Sequence, residues 1–125
     1  MHIDDLLAPL PAPVAVTAAD VRTEVDPTDV LLVLDDDPTG TQSVANLPVL
    51  TRWERTDLDE ALATGAAAVY VLTNTRSLDE ESAAARNREI VAVTLAAAEA
   101  RGRRVTFVSR GDSTLRGHFP LETDV

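Results

Sequence analysis

Val30-Leu31-Leu32-Val33-Leu34-Asp35-Asp36-Asp37-Pro38-Thr39-Gly40 is the stretch whose reading decides the fold. Five apolar, mostly branched residues in a row are what a strand buried on both faces requires, and such strands belong to parallel sheets. The run stops at three aspartates, a proline and a glycine, a strong breaker cluster. The same pattern returns twice. Ala68-Val69-Tyr70-Val71-Leu72 runs into Thr73-Asn74-Thr75-Arg76-Ser77, and Arg104–Val108 runs into Ser109-Arg110-Gly111-Asp112-Ser113-Thr114. A shorter strand is predicted at Val49–Arg52.

Helical signals lie between these strands. Thr56-Asp57-Leu58-Asp59 has capping-box spacing and Gly65 suits a helix end, which predicts a helix over Asp57–Thr64. Ser77-Leu78-Asp79-Glu80 repeats the spacing. The helix it opens is predicted to reach Arg101, with Gly102 as its cap and Ile90, Val91, Leu95 and several alanines as its apolar stripe. Alternation of strand and helix predicts an α/β fold: a parallel sheet of right-handed βαβ units flanked by helices, part of a three-layer domain. Residues 1–28 contain Pro11, Pro13 and Pro27 without clean periodicity. They read as an N-terminal arm with a short helix around Asp4–Leu7, and residues 29–125 read as the α/β domain.

Composition narrows the function classes. The 125 residues suffice for one small core, and 45% hydrophobic residues with 3% aromatics mean that Val, Leu and Ala build it. A net charge of -10 argues against nucleic acid, which demands a basic stripe. All eleven basic residues are Arg, so no phosphate-binding loop of the Gly-Lys-Ser/Thr type exists. The absence of Cys removes thiol chemistry and Cys-ligated zinc. No apolar run reaches membrane-spanning length, which gives a cytoplasmic protein without membrane partners as the expectation.

Three polar clusters, Asp35–Thr41, Thr73–Ser77 and Ser109–Arg116, each follow a predicted strand. In an open parallel sheet the carboxyl ends of the strands share one edge, where ligands bind, so the clusters are expected to converge. The three carboxylates of Asp35, Asp36 and Asp37 can accept hydrogen bonds from sugar hydroxyls or take a proton from an attacking hydroxyl. A plain Asx-type turn explains the acidic run equally well, and magnesium is a third reading. Arg76 suits a carboxylate or phosphate, whereas Ser77 reads as a helix cap. Arg110, Gly111, Asp112, Ser113 and Arg116 combine cations, hydroxyls and close backbone approach, as a hydroxylated anion needs. His118 reads as a surface or structural residue, and Trp53 as a partly buried packing residue.

At these clusters the sequence resembles the four-carbon acid sugar kinase family. The resemblance is carried by Val33-Leu34-Asp35-Asp36-Asp37-Pro38-Thr39-Gly40-Thr41-Gln42, Leu72-Thr73-Asn74-Thr75-Arg76-Ser77 and Ser109-Arg110-Gly111-Asp112-Ser113-Thr114-Leu115-Arg116-Gly117. It implies an N-terminal domain that binds the sugar acid and a C-terminal domain that binds ATP with Mg2+. The reaction it implies is phosphorylation of threonate, erythronate or 3-oxo-tetronate at the terminal hydroxyl. It also implies that Asp36 and Asp37 hold substrate hydroxyls, with one of them as a candidate base. Arg76 and Arg110 to Ser113 would bind the substrate, the arginines facing its carboxylate, and Arg116 would order the loop or neutralise the phosphate. Many relatives carry Ala-Asp-Asp-Phe/Leu-Thr-Gly where this chain has Asp35 and Pro38 flanking the pair. The chain stops at Val125, ahead of any ATP domain. The expectation is therefore a fragment that is inactive alone and binds neither ATP nor a metal by itself. The alternative is a non-catalytic small-anion-binding module.

Overall fold

The computed structural model describes residues 2–3, 7–12, 14–37, 39–112 and 114–125, with Ser43 described by its backbone alone. Four strands, β1 (Asp29–Asp35), β2 (Val49–Leu50), β3 (Ala68–Leu72) and β4 (Arg104–Arg110), form one sheet in the order β2-β3-β1-β4. Every pairing is parallel. The helices are α1 (Ala18–Glu24), α2 (Arg55–Ala63), α3 (Glu80–Ala100) and α4 (Leu121–Asp124), and 3-10 turns cover Gly40–Ser43 and Thr75–Ser77. The α/β class and parallel sheet are those expected from the sequence. Among the described residues, no helix is long and apolar enough to cross a membrane.

The two helix-bearing crossovers, β2–α2–β3 and β3–α3–β4, run in the same direction along the sheet, so the usual right-handed sense puts their helices on one face. The core lies there. Val30, Leu32 and Leu34 of β1 and Val69 and Val71 of β3 pack against Leu58, Ala61 and Leu62 of α2 and Ile90, Ala97 and Ala98 of α3. The other face is more open: Leu31, expected to be buried on both sides, is 45% exposed. Leu95 of α3 also points outward, and Asn87 and Thr94 take buried places in its stripe.

Several boundaries differ from the sequence reading, each for a local reason. Glu54 caps α2, and its N–H donates to Asp57 Oδ2 at 3.2 Å, so the helix starts ahead of the predicted Asp57. Asp79, not Ser77, caps α3, accepting from the Ser82 N–H at 2.9 Å. Ser77 is diverted because Asn74 adopts a left-handed conformation (φ 51°) and opens a 3-10 turn whose carbonyl receives Ser77 Oγ at 2.8 Å. β2 keeps only Val49 and Leu50, since the chain leaves the sheet toward the Glu54 cap, while β4 continues through Ser109 and Arg110. The arm contains α1, set by a reciprocal box in which the Thr17 N–H donates to Asp20 Oδ2 at 2.8 Å and the Asp20 N–H to Thr17 Oγ1 at 3.2 Å. Of the helix expected around Asp4–Leu7, residues 4–6 lie outside the described residues.

Charge fixes the central register. β1 begins and ends with Asp, β4 begins and ends with Arg, and the ladder pairs Asp29 with Arg104 and Asp35 with Arg110. Arg104 grips Asp29 through two hydrogen bonds of 2.6 and 2.9 Å, and Arg110 Nη1 donates to Asp35 Oδ1 at 2.9 Å. A slip of one residue would break both ion pairs and reverse the two faces of β1.

Arg103 ties the amino end of the sheet together, a role the sequence did not reveal. It donates to the carbonyls of Thr28 (3.2 Å), Leu62 (3.1 Å), Asp29 (3.2 Å) and Ala66 (3.0 Å). Replacement by alanine strands carbonyls from three segments. Arg103→Ala is expected to lower stability by about 2 kcal/mol in urea unfolding, the scale of charge-assisted hydrogen bonds. Because the opposite sheet edge is untouched, ligand affinity of the folded fraction should be unchanged.

Candidate functional site

The three sequence clusters meet at the carboxyl edge of β1, β3 and β4. β1 ends at Asp35, and its next two residues project carboxylates into the crevice toward the loop after β3. Arg76, from that loop, bridges them: Nη2 donates to Asp36 Oδ1 and Nη1 to Asp37 Oδ2, both at 2.8 Å. The other Asp36 oxygen accepts the Asp112 backbone N–H at 2.9 Å, which draws in the loop after β4. Asp37 Oδ1 accepts the Thr39 N–H at 2.9 Å and its hydroxyl at 2.8 Å.

These bonds sort the acidic run. Asp35 and Asp36 are buried and Asp37 is part exposed, its side chain 28% accessible. Asp36 and Asp37 each have both oxygens engaged, so burial separates them: Asp36 is an organiser, and Asp37 is the member that a ligand can reach. Arg76 is likewise turned inward onto the carboxylates, while the side chains of Arg110 and Arg116 are 49% and 70% exposed. Arg116 comes only to 4.0 Å from Asp112 Oδ2. Ser113 lies outside the described residues.

Hydrogen bonds and neighbouring charges favour the ionised forms of Asp37, Asp112 and Arg76. Hydrogen bonds from the Thr39 N–H and hydroxyl, with Arg76 and Arg110 nearby, hold Asp37 below the usual carboxylate range. The hydroxyl and N–H of Thr114 do the same for Asp112, helped by Arg76 and Arg116. Arg76 is pushed above its usual value, chiefly by its hydrogen bond to Asp36.

A supporting group under the edge was not singled out by the sequence reading. Glu122 of α4 is buried, accepts the Thr75 hydroxyl in a short hydrogen bond, and receives Asn87 Nδ2 at 3.5 Å. Thr73 donates its N–H and hydroxyl to the Asp35 carbonyl at 2.8 and 3.1 Å, which joins the ends of β1 and β3. His118 Nε2 lies 3.1 Å from the Thr75 carbonyl, the structural role read for it. Two glycines meet the site by close approach. A Cβ on Gly40 would collide with the Asp35 carboxylate and Arg110, and one on Gly111 with Glu122. Trp53 packs at the core margin, with the Arg86 guanidinium 5.6 Å from its ring. A cavity of about 200 Å³ lined by Leu34, Val91, Phe107 and α4 lies beneath β4, and its mostly apolar walls do not suit a hydroxylated ligand.

The model of the sugar-binding N-terminal domain family matches residues 31–125, which takes in all three clusters and the sheet except Asp29 and Val30. The chain belongs to that family. No curated protein and no solved structure matches the chain. A sugar-binding N-terminal domain needs acceptors for hydroxyls and donors for ring or carboxylate oxygens, and this edge presents both kinds on three segments fastened together.

The lowered carboxylates give a pH expectation. Asp37 and Asp112 have folded-state pKa values below their unfolded ones, so their stabilisation is complete above the unfolded carboxylate range. It is lost as pH falls through the folded values. The melting temperature should stay nearly level from about pH 8 to about pH 5 and fall below about pH 4. A thermal-melting series that lost stability already between pH 7 and 5 would contradict this assignment.

Proposed function

We propose that this chain forms the sugar-acid-binding part of a cytoplasmic ATP-dependent kinase acting on four-carbon acid sugars of the threonate, erythronate or 3-oxo-tetronate type. The observation that carries the reading is the half-exposed Arg110 guanidinium at the sheet edge, beside the accessible Asp37. Membership of a sugar-binding family and the three motifs in family order support it.

The site is not a general anion trap. Asp35, Asp36, Asp37 and Asp112 stand against Arg76, Arg110 and Arg116, so an anion gains little from net charge. It gains from directed N–H groups, and a polyol gains from carboxylate acceptors. A short acid rich in hydroxyls satisfies both. Arg110, with Arg116, would take the substrate carboxylate, and Gly111 would let the ligand approach the backbone. Asp37 would accept the hydrogen bond of a substrate hydroxyl. As the base, it would receive that hydroxyl's proton while the oxygen bonds to the transferred phosphorus and ADP leaves. Arg76 and Asp36 would hold Asp37 in place.

The nucleotide and Mg2+ that this reaction requires are a different matter. The acidic run does not fit a cation: five of its six carboxylate oxygens already accept from Arg76, Arg110, the Thr39 hydroxyl or backbone N–H groups, and the sixth, Asp35 Oδ2, is buried beneath Gly40. Among the described residues, no cluster of three or more His, Cys, Asp or Glu is arranged to hold one. ATP and Mg2+ would be held by a nucleotide-binding domain that partners this one.

Calorimetric titration of the chain with erythronate, threonate and 3-oxo-tetronate tests the binding half. Arg110→Ala and Asp36→Ala should each weaken affinity at least tenfold, and unchanged affinity in both variants would remove the site. ADP release by the full gene product, given ATP and each acid, tests the kinase half. Tight binding with no turnover on any of them would favour a non-catalytic sugar-acid-binding module instead.

A further inference from the structure

We propose that Asp35 is a positioning residue that aims Arg110 at the ligand and thereby sets the carboxylate end of the site. The proposal rests on the reading that Arg110 binds a sugar acid. Asp35 is fully buried, so it does not touch a ligand at the edge. Its Oδ1 accepts Arg110 Nη1 at 2.9 Å and the Asp37 N–H at 3.1 Å, so one oxygen holds both the cation and the acceptor assigned to the substrate.

The restraint on Arg110 comes from several sides. Asp35 and Arg110 are ladder partners, and the Asp36 N–H donates to the Arg110 carbonyl at 3.4 Å, so the backbone beneath the side chain is fixed. Gly40 comes down over the pair so closely that any Cβ there would overlap the Asp35 carboxylate and Nη1 of Arg110. Asp35 Oδ2 is buried without a hydrogen-bonding partner among the described residues, walled in by this Gly40 contact. A carboxylate buried in this way keeps its charge compensated mainly through one guanidinium, which makes that guanidinium's placement stringent. Among the described residues, Arg110 is thus held by one terminal nitrogen, and its side chain stays half exposed at the edge. A free arginine would lose rotamer entropy on meeting a ligand, whereas a held one has already lost it.

The same ion pair at the far end of the ladder, Asp29 with Arg104, supplies an internal contrast. That pair is exposed, and Arg104 turns both bonding edges toward carboxylates, with Asp26 as a further partner at 3.2 Å. It serves the register alone.

The test is a double-mutant cycle read by calorimetry with erythronate, using Asp35→Ala, Arg110→Ala and the double variant, with thermal melting in parallel. Asp35→Asn, which keeps size and an acceptor oxygen, carries the test if Asp35→Ala does not fold. Either Asp35 variant is expected to weaken erythronate binding at least fivefold in the folded protein. In the Arg110→Ala background the same change should cost clearly less, about twofold, because only the Asp37 N–H contact then remains to be lost. Asp29→Ala should lower the melting temperature with affinity unchanged. Wild-type affinity in the Asp35 variants would overturn the proposal, as would an equal loss with and without Arg110. Wild-type affinity in Arg110→Ala would instead overturn the substrate-site reading itself, so the two failures are distinguishable.

Discussion

One guanidinium holding two successive carboxylates is the interaction on which the carboxyl edge depends. Three aspartates in a row repel one another, and two of them are buried, at a desolvation cost of several kcal/mol per ion unless each is paired. The chain meets this cost by directing the three to different partners. Asp35 takes Arg110, Asp36 takes Arg76 and the Asp112 N–H, and Asp37 takes Arg76 and Thr39. All of these pairings except that of Asp37 with Thr39 cross between segments, so neutralising the acidic run also joins the loops after β1, β3 and β4. Removing Arg76 would leave Asp36 buried with its charge uncompensated and would free the loop that carries Asp37.

The sheet makes those pairings possible. With β1 between β3 and β4, the residues that follow β1 have arginine-bearing neighbours on both sides. The Asp29–Arg104 and Asp35–Arg110 pairs hold the register from both ends, and Arg103 closes the amino end by collecting carbonyls. Stability is thus anchored at one edge and the candidate chemistry gathered at the other. That separation allows the amino-end pairs to be altered without disturbing a ligand.

Much of this was legible in the sequence, and the gaps have physical causes. Branched apolar runs marked β1 and β3, a Val- and Phe-containing stretch marked β4, and the polar clusters after them marked the edge. Boundaries failed where a local hydrogen bond outcompeted a matching pattern: Ser77 has cap spacing, but the left-handed Asn74 claims it for a tight turn. The arm concealed α1, although Thr17-Ala18-Ala19-Asp20 has capping-box spacing, because its helix buries no residue and so carries no stripe. Within the site, residue type could not tell Asp36 from Asp37 or Arg76 from Arg110, since inward and outward members differ only by the loops they meet. Asp35 was readable in principle. The spacing Asp29 to Asp35 equals that of Arg104 to Arg110, and two parallel strands with matched charged ends form ion pairs once in register.

The proposed occupant of this edge is a four-carbon sugar acid, met by Arg110 and Asp37. The most direct measurement is a titration of the isotopically labelled chain with erythronate, followed by amide and arginine side-chain NMR signals. The account predicts saturable shifts concentrated at Asp37, Thr39, the Arg110 side chain, Gly111 and Asp112, with the Arg103 region unmoved. Shifts centred on the apolar cavity by Leu34 and Phe107, or no saturable shift at the carboxyl edge, would contradict it.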